Sequence, residues 1–202
     1  MPYQITANPY AFVMGSAEVG FSTSVILSSD IASTTLFASL GGARGVKITE
    51  SWENVEVAID NSAKHVVGIK NQEVLVEAEL LELNLVDFYR LRAGLDTGST
   101  IYTSTTMDDG GVKFQSGGLM TINPVSLRLQ HCKDATSSQY LRVLVHYGKV
   151  NEGFSFPFPA DDADDAMQIP MKIRGTCLSS LTAGTQLYTI TDTRTSIYAS
   201  SS

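Results

Sequence analysis

Apolar and polar positions alternate along residues 73–80, EVLVEAEL, and the alternation stops just beyond them. One side of this segment carries Val74, Val76, Ala78 and Leu80. The other side carries Leu75 and three carboxylates, Glu73, Glu77 and Glu79. A period of two residues predicts a β-strand with one buried face, so the three glutamates are expected to face away from the core.

The spacing of apolar residues becomes helical at Asn84, in NLVDFYRLRAG. Asn84 is a good N-cap residue, Asp87 sits at the reciprocal capping position, and Gly94 is a typical stop. These signals predict one short helix directly after the strand. Its aromatic residues, Phe88 and Tyr89, are expected to contact the core rather than to form a ligand site.

A second alternating segment, GVKITESWENVEVAID at residues 45–60, precedes the first one. Its alternation slips near Asn54, which predicts one long strand that contains a β-bulge. Residues 60–72 join the two strands into a predicted hairpin. They form a partly apolar loop that is longer than a tight turn requires, which indicates a role of its own.

The rest of the chain is also rich in predicted strands. Residues 1–45 are predicted to form an irregular arm, because Pro and Gly punctuate a segment dense in Ser and Thr that could supply short strands only. Beyond the helix, alternation and turn residues predict strands within residues 100–118, 126–132, 139–148, 167–178 and, as an edge strand, 184–190.

The order of these elements predicts an all-β fold with one flanking helix, arranged as a two-sheet β-sandwich or barrel. At 202 residues the chain is predicted to form a single domain. Its core is expected over residues 46–190, with the helix near residues 84–93 and a C-terminal tail at residues 191–202.

Composition narrows the possible partners. The formal net charge is −7 and the basic residues are scattered, which argues against tight binding to a phosphate backbone. Cys132 and Cys177 are expected to be buried thiols in the core sheets rather than a disulfide or a zinc site. The first residues lack the features of a secretory signal and no apolar run is long enough to span a bilayer, so we expect a cytosolic product without a membrane segment.

Signals for an enzyme are weak. His65, His131 and His146 have no paired metal-ligand spacing, and no serine lies in a nucleophile-elbow motif. The acidic run DDADD at residues 161–165 lacks the glycine and distal glutamate of a calcium loop, and is interpreted as a solvated turn. The sequence therefore predicts no catalytic activity, no cofactor and no metal.

Two regions resemble one known family. A long hairpin that leads straight into a short helix (residues 46–94), and an acidic turn before a strand with an internal Ile-Pro (within residues 160–190), are similar to the tail tube proteins of bacteriophages with long non-contractile tails. The resemblance implies a β-sandwich with one flanking helix. It also implies that inner sheets of neighbouring subunits join into hexameric rings, which stack into the tail tube of the virion. The same fold serves contractile tails and type VI secretion tubes.

The resemblance implies partners as well as a fold. The main partner would be the chain itself. The tape-measure protein and double-stranded DNA would pass through the lumen without tight binding, and tail terminator and tail-tip proteins would be further partners. Assembly would take place in the cytoplasm of the host bacterium. Six residues of the predicted loop are then candidates for contact between subunits: Lys64, His65, Val66, Val67, Ile69 and Lys70.

The three glutamates of the alternating strand are candidates for the wall of the lumen. DNA carries a negative charge about every 1.7 Å, so basic side chains on a channel wall would retain it, whereas Glu73, Glu77 and Glu79 would repel it. A solvated outer face is the simpler alternative.

Three alternatives to the tail tube remain open: another virion β-protein such as a tail terminator or head–tail joining protein, a secreted carbohydrate-binding or adhesive β-sandwich, and an enzyme on a similar barrel.

Overall fold

A computed structural model describes residues 16–57, 65–82, 84–94, 122–132, 139–156 and 168–193. In these ranges the chain is mostly β: a closed six-stranded antiparallel barrel with one extra strand and a single short α-helix. The strands are β1 (Ser16–Ser22), β2 (Ala38–Val57), β3 (His65–Leu80), β4 (Val125–Cys132), β5 (Tyr140–Val150), β6 (Ile169–Thr176) and β7 (Tyr188–Asp192). Helix α1 spans Leu85–Ala93, and a 3-10 turn spans Ser28–Asp30.

The barrel runs in the order β4-β1-β2-β3-β6-β5 and closes through the pairing of β4 with β5. β7 is the extra strand and pairs with the first part of β5, from Leu141 to Val145. The sequence-based choice between a sandwich and a barrel is thus resolved in favour of a barrel. Two further strands were expected within residues 100–118, and they lie outside the described residues, as does the acidic run at residues 161–165.

The interior of the barrel is apolar because each strand turns its alternating apolar side chains inward. Val74 and Val76 are fully buried, and Ala78 and Leu80 are nearly so, as the alternation predicts. Apolar side chains from every strand of the barrel complete the core, among them Val19, Phe21, Leu127, Leu129, Val145, Met171 and Ile173.

Within the barrel, β5 and β6 pair through a narrow seam of three residue pairs. Gly148 faces Gly175 in this seam. A Cβ atom at Gly175 would lie 2.5 Å from a methyl carbon of Val145 and 2.7 Å from one of Val74, closer than side chains tolerate. Glycine is therefore needed at Gly175 because the neighbouring core side chains occupy the space of a side chain there.

Helix α1 begins and ends as the sequence predicts. The Asn84 side chain accepts hydrogen bonds from the backbone N–H groups of Val86 and Asp87, and Gly94 ends the helix in the left-handed conformation with φ 60°. Phe88 is buried against the ring of Phe154, with centroids 4.1 Å apart. Phe88 and Tyr89 are both buried, which confirms their predicted role as core contacts.

A small second core covers the outside of the barrel between β1 and β2. It consists of Ile26, Ile31, Phe37 and Leu144. Two buried polar side chains hold this connection in place. The His146 Nδ1–H donates to the Ile26 carbonyl at 3.0 Å, and the Arg128 guanidinium donates to the Ser33 carbonyl at 2.6 Å.

The expectation of an irregular arm over residues 1–45 is wrong for a large part of that range. β1 and the first residues of β2 belong to the barrel, and Val19 and Phe21 are fully buried in its core. The glycines that suggested an irregular segment instead accompany strand irregularities. The pairing of β1 with β2 shifts register between Val19 and Gly20, and Gly41 and Gly45 adopt positive φ within β2.

The expectation of buried cysteines is also wrong. Cys177 follows the end of β6 and is exposed, while Cys132 is the last residue of β4 and is half-buried. Neither forms a disulfide. Strand ends project past the packed centre of the barrel, so a residue there is less covered than its alternation suggests.

Candidate functional site

Strands β2 and β3 are much longer than the strands beside them. β1 pairs with β2 only from Ala38 to Arg44, and β6 pairs with β3 only from Glu73 to Leu80. The far parts of β2 and β3, residues 52–57 and 65–72, therefore form a two-stranded ribbon that extends beyond the barrel in the described part of the chain. This ribbon is called the hairpin arm below.

The hairpin arm exposes large apolar side chains on both of its faces. Val66 and Val67 are adjacent, so they point to opposite faces, and they are 58% and 62% exposed. Three more apolar side chains of the arm are about half exposed: Trp52, Val57 and Ile69. A lone two-stranded hairpin is at best marginally stable in water, and contiguous exposed apolar surface typically marks a contact with another molecule.

The pairing of β2 with β3 is irregular where the arm leaves the barrel. The register between β2 and β3 shifts between Ser51 and Glu53, and Asn71 adopts a positive φ of 52° there. Asparagine tolerates this left-handed conformation better than most residues. Glu53 pairs with Lys70 at 3.2 Å, and hydrogen bonds from Asn71 and Lys70 lower the pKa of the Glu53 carboxyl below its ordinary value.

Five of the six predicted contact residues lie in the hairpin arm: His65, Val66, Val67, Ile69 and Lys70. His65 is the first residue of β3 and its side chain is outside the described residues, as is all of Lys64. The predicted loop over residues 60–72 is wrong for residues 65–72, which belong to strand β3. The apolar residues that suggested a loop with its own role are instead strand residues without a core to cover them.

The three predicted wall residues lie on the outer face of the barrel, and each is ion-paired. Glu73 lies 3.6 Å from Arg174, and Glu79 lies 3.2 Å from Arg44. Glu77 sits between two lysines on the flanking strands, 3.5 Å from Lys47 of β2 and 3.8 Å from Lys172 of β6. Lys172 also contacts Glu152 at 3.1 Å. These eight residues, Arg44, Lys47, Glu73, Glu77, Glu79, Glu152, Lys172 and Arg174, are called the charged face.

The charged face combines four carboxylates with four basic groups, so its formal charge is zero. Hydrogen bonding to Glu152, aided by the charge of Glu77, raises the pKa of Lys172 above its ordinary value, so the lysine stays charged at neutral pH. The sequence located the carboxylates but missed their partners. The alternation of Lys172 and Arg174 with the buried Met171 and Ile173 indicates that both basic side chains face outward, but not which carboxylates they contact.

An apolar groove opens at the end of the barrel from which the arm projects. Its volume is about 190 Å³, and it is lined by Ala17, Val46, Ile48, Leu129, His131, Leu141 and Val143. Beside it, β2 continues past Arg44, where its pairing with β1 ends in the described part of the chain. No local sequence pattern predicts this groove, because it arises from a difference in strand length.

A second, polar cavity of about 230 Å³ lies beside β7. The hydroxyl of Tyr188 and the side-chain amide of Gln72 each donate to the Glu50 carboxylate at 2.8 Å. Hydrogen bonding to Glu50 raises the pKa of Tyr188. Glu50 lies on the same face of β2 as Val46 and Ile48, which turn inward. A carboxylate at this otherwise apolar position of the strand was the sequence signal for the cavity, and it was missed.

Comparison of the sequence with models of known protein families and with curated proteins finds no match. Across the described residues, no helix has the length and apolar character needed to cross a membrane. In the same residues, no three potential metal ligands among His, Cys, Asp and Glu gather into one group.

Proposed function

We propose that this chain is the structural subunit of a bacteriophage tail tube, which polymerises into stacked hexameric rings and forms a conduit for DNA ejection. The observation that carries the proposal is the hairpin arm. An isolated barrel gains nothing from a ribbon that exposes Val66, Val67 and Ile69 to water, whereas a subunit of a polymer buries such a ribbon against its neighbour.

Strand edges support the same proposal. Within the described residues β7 pairs with β5 alone, and Ile190 of β7 is 56% exposed. Exposed edges promote pairing with another chain unless the protein covers them. Contacts between two different surfaces of identical subunits close into a ring when the rotation between subunits permits it. An edge such as that of β7, paired with a neighbouring subunit, would provide the inner sheet that joins subunits in the proposed ring.

The charged face suits a wall that DNA passes without being held. Lysine and arginine bind DNA by releasing its counterions, but here each basic group already faces a carboxylate. A polyanion would have to displace Glu73, Glu77 or Glu79 to bind. The proposed lumen wall is therefore a neutral, charge-paired surface, and not the purely acidic surface that the sequence suggested.

The first experiment removes the apolar character of the arm. V66T/V67T/I69T keeps β-branched residues in the strand, so the barrel should fold with unchanged circular dichroism. Electron microscopy of the purified protein should show rings or tubes for the parent chain and single particles for the variant. V25T/L27T is a matched control, because these two side chains are about half exposed but lie outside the arm. Normal tubes from the arm variant would contradict the proposal.

The second experiment tests the location of the charged face. E73K/E77K/E79K adds three basic groups to the four present, while the exchange K47E/E77K keeps the face neutral. Virions with the triple variant should assemble tubes but eject DNA slowly, and the slowing should diminish at high salt. Virions with the exchange should eject DNA normally. Unaffected ejection by the triple variant would place these residues outside the lumen.

One observation favours a second candidate function. Trp52, the only tryptophan of the chain, is 52% exposed on the arm, as expected for the aromatic platform of a carbohydrate-binding or adhesive protein. Titration of the protein with oligosaccharides, measured by isothermal titration calorimetry, tests this candidate. Saturable binding that W52F abolishes would support it. Closed rings that do not stack would instead support another virion protein, such as a tail terminator or head–tail joining protein.

A further inference from the structure

The polar cavity beside β7 is built from four parts of the described chain. Its lining comes from β2, β3, the connection between β6 and β7, and β7 itself: Glu50, Gln72, Gly184, Gln186, Leu187 and Tyr188. Backbone hydrogen bonds fix the connection, from the N–H of Leu178 to the Gln186 carbonyl at 2.9 Å and from the N–H of His146 to the Leu187 carbonyl at 3.3 Å. The fold therefore positions this lining in advance, as is usual for sites that take small molecules.

Glu50 gives the cavity a negative charge that no basic side chain among the described residues pairs with. The ion pairs formed in these residues involve other carboxylates. Half-buried Glu50 instead accepts hydrogen bonds from two neutral groups, the Tyr188 hydroxyl and the Gln72 side-chain amide, both at 2.8 Å. Burial removes part of the hydration of a carboxylate, so a cation that reaches Glu50 replaces a favourable interaction that water no longer fully provides.

Most side-chain polar atoms that stay available in the cavity are hydrogen-bond acceptors. The Gln72 amide nitrogen donates to Glu50, and the Gln186 amide nitrogen donates to a backbone carbonyl of the connection at 2.8 Å. Each glutamine thus keeps its oxygen as an acceptor, and the Tyr188 oxygen keeps a lone pair after its hydrogen is donated to Glu50. The thiol of Cys177, 3.9 Å from the Gln72 oxygen, is a weak donor that a stronger one can replace.

Charge and size select the kind of cation that fits. One carboxylate supplies a single negative charge, whereas a calcium ion takes roughly six to eight oxygen ligands, several of them from carboxylates. The cavity volume of about 230 Å³ is several times the roughly 30 Å³ that one water occupies in the liquid, so it has room for carbon atoms beside a charged group. Leu187 adds an apolar part to the lining. These properties suit an organic cation with one charge and several N–H donors.

We propose that this cavity binds an alkylammonium group, with the carboxylate of Glu50 as its counterion. The oxygens of Gln72, Gln186 and Tyr188 provide acceptors for its other hydrogens, and the alkyl chain lies against Leu187. An ammonium group has three donors and one charge, so it matches a carboxylate surrounded by neutral oxygens. A free amine and the lysine side chain of another chain both carry this group.

The first test compares two cations of equal charge. Saturation-transfer NMR of n-butylammonium chloride with the parent chain should show saturable binding. Tetramethylammonium chloride has no N–H donor and should bind about tenfold more weakly or worse, because it cannot form the charged hydrogen bond. At an ionic strength of about 0.15 M, charges more than about 8 Å apart are largely screened, so the net charge of the chain does not attract both cations alike. Equal binding of the two cations would overturn the proposal.

The second test removes the counterion. E50Q keeps an oxygen that can accept from Tyr188 but loses the charge, so n-butylammonium binding should weaken roughly tenfold or more. E18Q is a matched control, because Glu18 also accepts from a hydroxyl and a glutamine amide, those of Ser39 and Gln130, but does not line the cavity. E18Q should bind like the parent chain. Unchanged binding by E50Q, or an equal loss in E18Q, would contradict the proposal.

A third variant decides the question if E50Q does not fold. Y188F keeps the charge of Glu50 and removes one acceptor, so binding should weaken roughly two- to tenfold, and unchanged binding would again contradict the proposal. Nα-acetyl-lysine N-methylamide separates the two sources of the group. Tighter binding than that of n-butylammonium would assign the site to a lysine side chain, and weaker binding to a free amine. Saturation transfer can be measured on single subunits and on large assemblies, so this test is separate from that of the tail tube.

Discussion

The same two strands behave differently inside the barrel and in the hairpin arm. Between Glu73 and Leu80, β3 lies between β2 and β6, and its inward residues are buried. Between Val66 and Ile69, β2 is the one strand that pairs with β3 among the described residues, and the apolar side chains there are more than half exposed. The backbone pairing of β2 with β3 continues through both regions. The difference is that the barrel part has a core and the arm has none.

Apolar residues therefore contribute to different processes in the two regions. In the barrel, burial of apolar area stabilises the fold by roughly 25 cal/mol for each Å² removed from water. In the arm, the same residue types contribute little to folding of the lone subunit, and their contribution becomes available when a partner covers them. Substitutions in the barrel should therefore affect stability, and substitutions in the arm should affect association.

The largest expected effect is on the stability of the barrel. Leu127 is fully buried, so L127A should lower the free energy of unfolding by about 2–5 kcal/mol through lost burial and a residual cavity. I69A on the arm should change it by no more than about 0.5 kcal/mol, because Ile69 is exposed. Urea unfolding of the unassembled protein, monitored by circular dichroism, measures the free energy of unfolding of both variants. Equal losses would mean that the arm is packed as tightly as the barrel.

The same glycine substitution should have opposite outcomes in the two regions. G175A places a methyl group against Val145 and Val74 at the barrel seam, and should cost about 1–3 kcal/mol. G68A on the arm meets no atom within 4 Å, and alanine is the better strand residue, so stability should be unchanged or slightly higher. Thermal unfolding of the two variants measures the difference. A destabilised G68A would indicate that the arm packs against another surface even in the lone subunit.

A substitution at Asn71, which has a positive φ at the base of the arm, should have a smaller and more local effect on stability. N71V forces a β-branched residue into a positive φ, which costs roughly 1–2 kcal/mol, whereas N71G retains the conformation. The cost should appear as faster hydrogen exchange of the arm amides and as a shift of the Trp52 emission, with the barrel amides unchanged. A uniform change across barrel and arm would show that the two regions unfold as one unit.

The sequence predicted local features better than their spatial relations. Alternation placed Val74 to Leu80 in the core, and the signals at Asn84 and Gly94 placed the helix, because each depends on residues a few positions apart. To predict the arm, one would need to know the lengths of β1 and β6 relative to β2 and β3, and no local pattern contains this information. The partners of the glutamates were missed for the same reason, since Glu73 and Arg174 are brought together only by the register of β3 with β6.

The smallest expected effect is a loosening of the arm in acid. Hydrogen bonds from Asn71 and Lys70 lower the pKa of Glu53 in the folded arm below its ordinary value of 4.5. A carboxyl with a lowered folded-state pKa stabilises the fold above its unfolded pKa, and this contribution is lost as the pH falls through the folded value. Trp52, adjacent to Glu53 and the only tryptophan, should report the change as an emission shift between neutral pH and a pH below 4.5. E53Q should remove the pH-dependent shift without changing barrel circular dichroism, because glutamine keeps the size of the side chain but does not titrate. A full shift in E53Q would assign the acid response to another group.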